Sequence, residues 1–308
     1  MSRSQTFPKP RVGIAGIGLI GGSLALSLKA ANFATELIGW DGDQTVSDGA
    51  ISYGIIDRTA ASFSELCASV DLLVLAAPTQ ACELLLQQVL AGDFSCVVTD
   101  VASVKSPLVA IAESAPDDRS TRYVPGHPIA GSERSGFSAA RRDLFDAHQV
   151  ILTPQEHTSE DAVALVTDAW KAAGATVHLM TALAHDEILA QTSHLPHVLA
   201  FALVDALASS ENKYDVFQHA AGGFRDFTRI ASSDPTMWRD ISLANRDALL
   251  KAIEAFEGHF KKLKEAIDSL DGQRLQQIFS GAKSTRDAFA EEFEIRTARE
   301  TREESAQS

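Results

Sequence analysis

Cysteine is scarce in this chain: Cys67, Cys82 and Cys96 are the only three in 308 residues. They form no C-x-x-C pair, and an odd number speaks against a disulfide framework. They read as reduced, buried thiols, which points to a cytoplasmic protein. Long hydrophobic runs are missing as well. The longest, residues 70–78, is far too short to cross a bilayer, and the opening MSRSQTFPKPR lacks the apolar core of a signal peptide. No membrane partner is expected. Positive charge is in deficit, with 27 Lys and Arg against 41 Asp and Glu, a formal charge of −14. The acidity is spread over both halves, leaving no basic stripe to neutralise phosphates, so the composition argues against nucleic-acid binding. A small anion would need a local cationic pocket. Metal-ligand clusters are lacking too. His194 and His197 lie three apart, but no Cys or H-E-x-x-H motif joins them, and no metal is expected.

What remains is ordinary globular composition, 45% hydrophobic and 22% charged, which excludes a disordered or collagenous chain. The length fits one large domain or two modest ones. Short apolar runs mark the first part: residues 12–15, 37–40, 71–77, 96–99, 122–125, 149–153 and 176–180. Helix-compatible segments separate most of them, such as 19–31, 81–90 and 159–173. This alternation predicts an α/β fold with a doubly wound, largely parallel sheet over residues 1–180. After Met180 the pattern becomes helical throughout. Residues 182–208 read as a helix kinked at Pro196. Residues 238–270 read as one long helix whose apolar positions, Ile241, Leu249, Ile253, Phe256, Phe260, Leu263, Ile267 and Leu270, form a stripe suited to a core or a dimer seam. An all-helical domain is expected over 181–296, followed by a charged, frayed tail over 297–308.

The strongest chemical signal is Gly16-Ile17-Gly18-Leu19-Ile20-Gly21-Gly22-Ser23, which follows the first strand and opens the first helix. In that setting G-x-G-x-x-G is a dinucleotide fingerprint. Gly16 permits the tight turn, Gly18 admits a pyrophosphate, and Gly21 lets helix and strand pack closely. The helix start at Leu19 and Ile20 offers free N–H groups to the phosphates. Asp41, 20 residues beyond Gly21, stands where a carboxylate accepts bonds from the adenosine ribose. No Lys or Arg lies between Asp41 and Arg58 to welcome a 2′-phosphate, so NAD is favoured over NADP. The alternative for Asp41 is a cap on the next helix. Ala77 and Pro78 end another strand where a dinucleotide could lie close.

Two further loops carry candidate chemistry. One is residues 100–105, DVASVK; the other is residues 125–133, PGHPIAGSE. His127, following a strand and held between Gly126 and Pro128, could trade a proton near neutral pH. In the helical part, Arg225 and Arg229 flank Asp226 beside a Gly222-Gly223 turn. They read equally as a carboxylate clamp or as salt bridges to Asp226 and Asp240.

Together the segments GIGLIGGS (16–23), TDVASVK (99–105), GHPIAGSERSGF (126–137), TSHLPH (192–197) and GGFRDFTRIASSDPTMWRDI (222–241) resemble the prephenate/arogenate dehydrogenase family, also called cyclohexadienyl dehydrogenases. The match runs from about Arg11 to Phe293. Ala102 and Ser132 stand where many relatives carry Gly and Thr, swaps that keep the local chemistry. The resemblance implies a Rossmann-type domain followed by a helical dimerisation domain, with NAD-dependent oxidative decarboxylation of prephenate or arogenate to 4-hydroxyphenylpyruvate or tyrosine. It implies a homodimer. It implies His127 as acceptor of the ring hydroxyl proton and Ser103 as the residue that orients it near the nicotinamide. It implies His194 and Arg229 as substrate ligands, Ser132 and Glu133 at the site mouth, and Asp226 beside the pocket. Two other readings share the layout: a β-hydroxyacid dehydrogenase, whose helical domain would carry a catalytic Lys where this chain offers His194 and His197, and a non-catalytic NAD-responsive regulator.

Overall fold

The computed structural model of the chain describes residues 9–131, 134–211 and 213–307, the side chains of Asp117, Lys213 and residues 295–307 excepted. It divides into two compact units, residues 1–246 and 247–308.

The first unit opens with β1 (Arg11–Ala15), α1 (Leu19–Ala30), β2 (Glu36–Trp40), α2 (Gln44–Ser52), β3 (Arg58–Thr59), α3 (Phe63–Ser69), β4 (Leu72–Leu75), α4 (Thr79–Ala91), β5 (Val97–Asp100), α5 (Ser106–Glu113), α6 (Asp117–Ser120) and β6 (Tyr123–Val124). The strands form one parallel six-stranded sheet in the order β3-β2-β1-β4-β5-β6. The order reverses between β1 and β4, which opens a crevice at the carboxyl ends of those strands. Continuous apolar runs form these strands because both faces are covered. Val12, Ile14, Leu72 and Val74 join one core with Leu24 and Leu28, while Leu73 and Leu75 join the other with Leu66, Cys82 and Leu86. The three cysteines are free and buried, and burial pushes the Cys67 and Cys82 thiols up to about 12.

The last three apolar runs do not extend this sheet. β7 (Gly126–Pro128), β8 (Gln149–Leu152) and β9 (Thr176–Leu179), with α7 (Glu160–Ala172) between the last two, make a separate three-stranded sheet. β7 runs antiparallel to β8, and β9 parallel to it. Periodicity identifies an apolar strand but does not choose its partner. Trp170 on α7 meets Phe145 edge-on at 5.1 Å and anchors this sheet to the first core.

The helical region departs from expectation at several points. Residues 182–208 are α8 (Ala182–Leu189), a π-helical stretch Ala190–His194, and α9 (Leu195–Ala208). Pro196 lies in the first turn of α9, where its missing N–H is tolerated, so the irregularity is a widened turn before it rather than a kink at it. After α10 (Lys213–Gln218), the Gly222-Gly223 pair opens α11 (Gly222–Thr228) instead of forming a turn. The pattern from Trp238 to Leu270 is two helices, α12 (Pro235–Ala244) and α13 (Arg246–Asp268), broken at Asn245, whose φ of −103° and ψ of 32° leave the helical region. α12 packs Trp238 and Ile241 against Val104 of the β5–α5 loop. Thus the helices between Met180 and Arg246 cluster with the nucleotide-type sheet, and the compact units part later than the change in sequence pattern.

The second unit holds most of α13 and α14 (Gly272–Gln307). Leu270, with φ of +54°, turns the chain between them. The backbone stays helical through the segment expected to fray, where Ala, Glu and Arg are good helix formers. Phe260, Ile267, Leu270, Phe279 and Phe289 are all exposed.

Candidate active site

The glycine loop lies at the crevice between β1 and β4. Gly16 has φ of +94°, and a Cβ there would stand 2.6 Å from the Ala76 carbonyl oxygen, at the end of β4. A Cβ on Gly21 would lie 2.1 Å from the Gly16 carbonyl. Both positions therefore require glycine. Around Gly18 there is open space, and no side chain caps the start of α1. The amides at Leu19 and Ile20 are thus left uncapped, as a phosphate-binding helix start requires. Asp41 follows β2. Its Oδ2 accepts the Ile17 N–H at 2.9 Å and its Oδ1 accepts the Asp43 N–H at 3.0 Å. Its carboxylate is fixed with lone pairs to spare for ribose hydroxyls. The cap on α2 is Asp43, which accepts the Thr45 N–H, so Asp41 is not the helix cap. Ala77 and Pro78 close the same crevice, with Pro78 preceding α4. These groups fit a dinucleotide.

His127 sits in the middle of β7, paired with Ile151, rather than in the loop expected after a strand. Its strand begins beyond the carboxyl end of β6, on the same sheet edge as the glycine loop. Beneath it, Lys105 is fully buried. The Lys105 ammonium pairs with Asp100 and donates to the Gly126 carbonyl. Asp100 also accepts the Tyr123 hydroxyl at 2.7 Å and the Ala102 N–H at 2.8 Å. A buried charge pair this well bonded pins the β5–α5 loop to the residue before His127.

The side chain of His127 meets an imidazole the sequence did not flag. His127 Nδ1 lies 2.9 Å from Nε2 of His185, and His185 Nδ1 lies 2.7 Å from Oδ1 of Asp186. Asp186 in turn accepts the backbone N–H groups of Lys105 and Ser106 at 2.9 and 2.8 Å and the Ser106 hydroxyl, so it caps α5 from outside. Burial alone would raise its pKa. The bonds from His185, Ser106 and Lys105 outweigh that and hold it below the usual carboxylate range. With Asp186 ionised and both rings neutral, His185 donates from Nδ1 and accepts at Nε2. His127 then donates from Nδ1 and keeps a lone pair on Nε2. Burial chiefly, with the buried Lys105 ammonium adding to it, depresses the His127 pKa well below its ordinary value, which keeps that lone pair free. Ser103 is half-buried on the β5–α5 loop, but the bond that orients the His127 ring comes from His185.

The histidine pair of TSHLPH splits. His194 is 1% exposed, and its Nδ1 accepts from the Asn245 amide at 3.0 Å. The same amide donates to the Asp186 carbonyl at 2.8 Å. Burial chiefly brings the His194 pKa down to about 4. His197 is half-buried and stacks on Trp238 with ring centroids 3.5 Å apart. Its Nδ1 donates to the Ser193 carbonyl, leaving Nε2 as acceptor. Burial chiefly lowers its pKa, the Ser193 bond opposes that, and the charge of Arg229 adds to the lowering. Arg229 begins the short 3-10 turn after α11. Arg225 and Asp226 are exposed and bonded to each other at 3.0 Å, the salt-bridge alternative for that arginine. Ser132 and Glu133 lie outside the described residues. The described residues hold no group of three or more metal-type ligands and no helix long and apolar enough to span a membrane.

Sequence comparison matches residues 24–179 to the model of the prephenate dehydrogenase nucleotide-binding domain and residues 181–281 to that of the prephenate dehydrogenase dimerization domain. A cyclohexadienyl dehydrogenase of Zymomonas mobilis is 35% identical over 92% of this chain and 98% of its own. A prephenate dehydrogenase of Bacillus subtilis is 36% identical over 91% of this chain and 76% of its own. Among solved structures, prephenate dehydrogenase from Aquifex aeolicus, in complex with hydroxyphenyl propionate and NAD+, superposes with a TM-score of 0.86 at 36% identity, covering 92% of this chain and 100% of that one. With both domain models matched in order along a chain that carries the glycine crevice and the buried histidines, this protein belongs to the prephenate dehydrogenase family.

Proposed function

We infer that the chain oxidatively decarboxylates prephenate, arogenate or both with NAD, forming 4-hydroxyphenylpyruvate or tyrosine in tyrosine biosynthesis. The observation that carries this reading is the His127–His185–Asp186 line, which leaves an acceptor nitrogen at the cofactor edge of the sheet. Family membership supplies the substrate class. NAD, when bound, supplies the hydride acceptor. Gly16, Gly18, Leu19, Ile20 and Gly21 hold its pyrophosphate, Asp41 its adenosine ribose, and Ala77, Pro78 and Ser103 the nicotinamide side.

His127 Nε2 accepts the ring hydroxyl proton as hydride leaves the carbinol carbon. The bond to the ring carboxylate breaks, CO2 departs, and the ring becomes aromatic. Aromatisation drives the reaction, so the protein chiefly positions and polarises. Arg229 presents a fork for a substrate carboxylate, and His197, beside it, suits the same end of the substrate better than the sealed His194. Ser132, Glu133, Arg225 and Asp226 are assigned to the rim. Residues 1–180 serve as the nucleotide-binding part and 181–296 as the substrate and dimer part, with 297–308 a tail. Two copies pair through the helical part, which matches a dimerization domain. A cytoplasmic setting suits three free, buried thiols.

The test is NADH formation on adding prephenate, then arogenate, with NADP in parallel. Turnover on either with NAD is expected. His127→Asn should keep NAD affinity and lose roughly 10²- to 10⁴-fold in kcat. NAD binding without turnover on either substrate would overturn the reading and favour a hydroxyacid dehydrogenase or a regulator. Because the His127 pKa is depressed, kcat/KM should fall with acidity only at a pH well below 6.5.

A further inference from the structure

His127 and His185 form a pair in which only one ring has a carboxylate. His185 is fully buried, its Nδ1 is 2.7 Å from Asp186, and its Nε2 is 2.9 Å from His127 Nδ1. Asp186 is itself held by two backbone N–H groups at the start of α5 and by the Ser106 hydroxyl. His127 has no carboxylate partner among the described residues, and the buried Lys105 ammonium lies under its strand, bonded to the Gly126 carbonyl. A positive charge is therefore better accommodated at the inner ring than at the outer one.

Resting on the reaction inferred above, we propose that the proton removed from the substrate does not stay as a charge on His127 but is relayed in the same event to His185, which holds it as an imidazolium against Asp186. Hydride passes from the carbinol carbon to NAD. The electron pair of the breaking carbon–carboxylate bond enters the ring, and CO2 leaves. The hydroxyl proton bonds to His127 Nε2, and the proton on His127 Nδ1 moves to His185 Nε2. His127 ends neutral with its tautomer reversed, His185 carries the charge, and the electron pair comes to rest on the former carbinol oxygen as a phenolate, which takes the proton back from His185 through His127 to leave as the hydroxyphenyl product. His185 is thus a positioning residue that also takes a proton, and Asp186 stabilises what it takes.

Two measurements test this. In the unliganded protein near pH 7.5, 15N NMR of imidazole-labelled protein should show a pyridine-type Nε2 on His127 and a neutral His185 with protonated Nδ1. A doubly protonated His185 under those conditions would overturn the proposal, whatever the enzyme's substrate. In single-turnover NADH formation with whichever of prephenate or arogenate the wild type uses, rates in H2O/D2O mixtures should bow, as two protons move together. His185→Gln retains an amide oxygen to accept from His127 Nδ1 but takes no proton. It should lose roughly 10- to 100-fold in rate with unchanged NAD affinity, and its isotope plot should become linear. Asp186→Asn, which keeps an acceptor for the α5 amides, should act in the same direction. A His185→Gln enzyme with wild-type rate and a linear wild-type isotope plot would refute the relay while leaving the dehydrogenase assignment intact. Absence of wild-type turnover would instead strike the assignment itself.

Discussion

The sheet unit and the α13–α14 unit treat apolar side chains in opposite ways. In the first, Ile14, Leu24, Leu28 and Trp170 are sealed from water, and even Lys105 and Asp100 are enclosed. In the second, Phe260 is 60% and Leu270 89% exposed, and Phe256 and Phe260 stack on each other at 6.0 Å on an open flank. The first unit closes a core around its sheet, while its helices leave Leu183 and Tyr214 exposed. The second leaves a stripe exposed, within the part of the sequence that matches a dimerization domain.

Several changes would break or sharpen that contrast. The largest effect should come from the enclosed charge pair. Lys105→Ala leaves the Asp100 carboxylate without its cation, and urea unfolding should register a loss of about 3–5 kcal/mol. Next is acidity. His194 takes up a proton at its ordinary value of 6.5 when unfolded but only near about 4 when folded. Between those values the unfolded chain binds more protons, so stability present above pH 6.5 should drain away as pH falls to about 4, by roughly 3 kcal/mol. His194→Gln, which keeps an acceptor for Asn245, should flatten that slope in unfolding curves taken from pH 7 to 4. The smallest change in stability should follow Phe260→Ser, under about 1 kcal/mol in an isolated chain because the ring is already wet. Sedimentation should nonetheless show a shift from dimer towards monomer. An unchanged dimer with a destabilised chain would reverse the contrast.

How much of this was legible beforehand follows the same division. The glycine loop, Asp41 and His127 could be read because each lies just past an apolar run, where strand ends and ligand edge coincide. His185 and Asp186 could not, since HDEIL reads as an ordinary helical start. The available signal was an adjacent imidazole and carboxylate just after Thr181, the helix cap. Lys105 gave no hint of burial, because charge normally marks a surface. His194 is placed at the substrate by the resemblance to the TSHLPH motif, while spacing alone does not say which of two helical histidines faces inward. The π-helical stretch decides that, and periodicity sees helix faces rather than hydrogen-bond register. The break at Asn245 was hidden for the same reason. The second sheet escaped because pairing His127 with Ile151 is a long-range choice that neither strand encodes locally.

That pairing has an evolutionary corollary. Successive residues of a strand point to opposite sides, and β7 is only three residues long. Inserting or deleting a single residue between Val124 and His127 would turn the imidazole to the wrong side and draw Gly126 out of reach of the Lys105 ammonium. The length of this stretch should be closed to change. Descendants of this gene are thus bound to keep the count before Pro128.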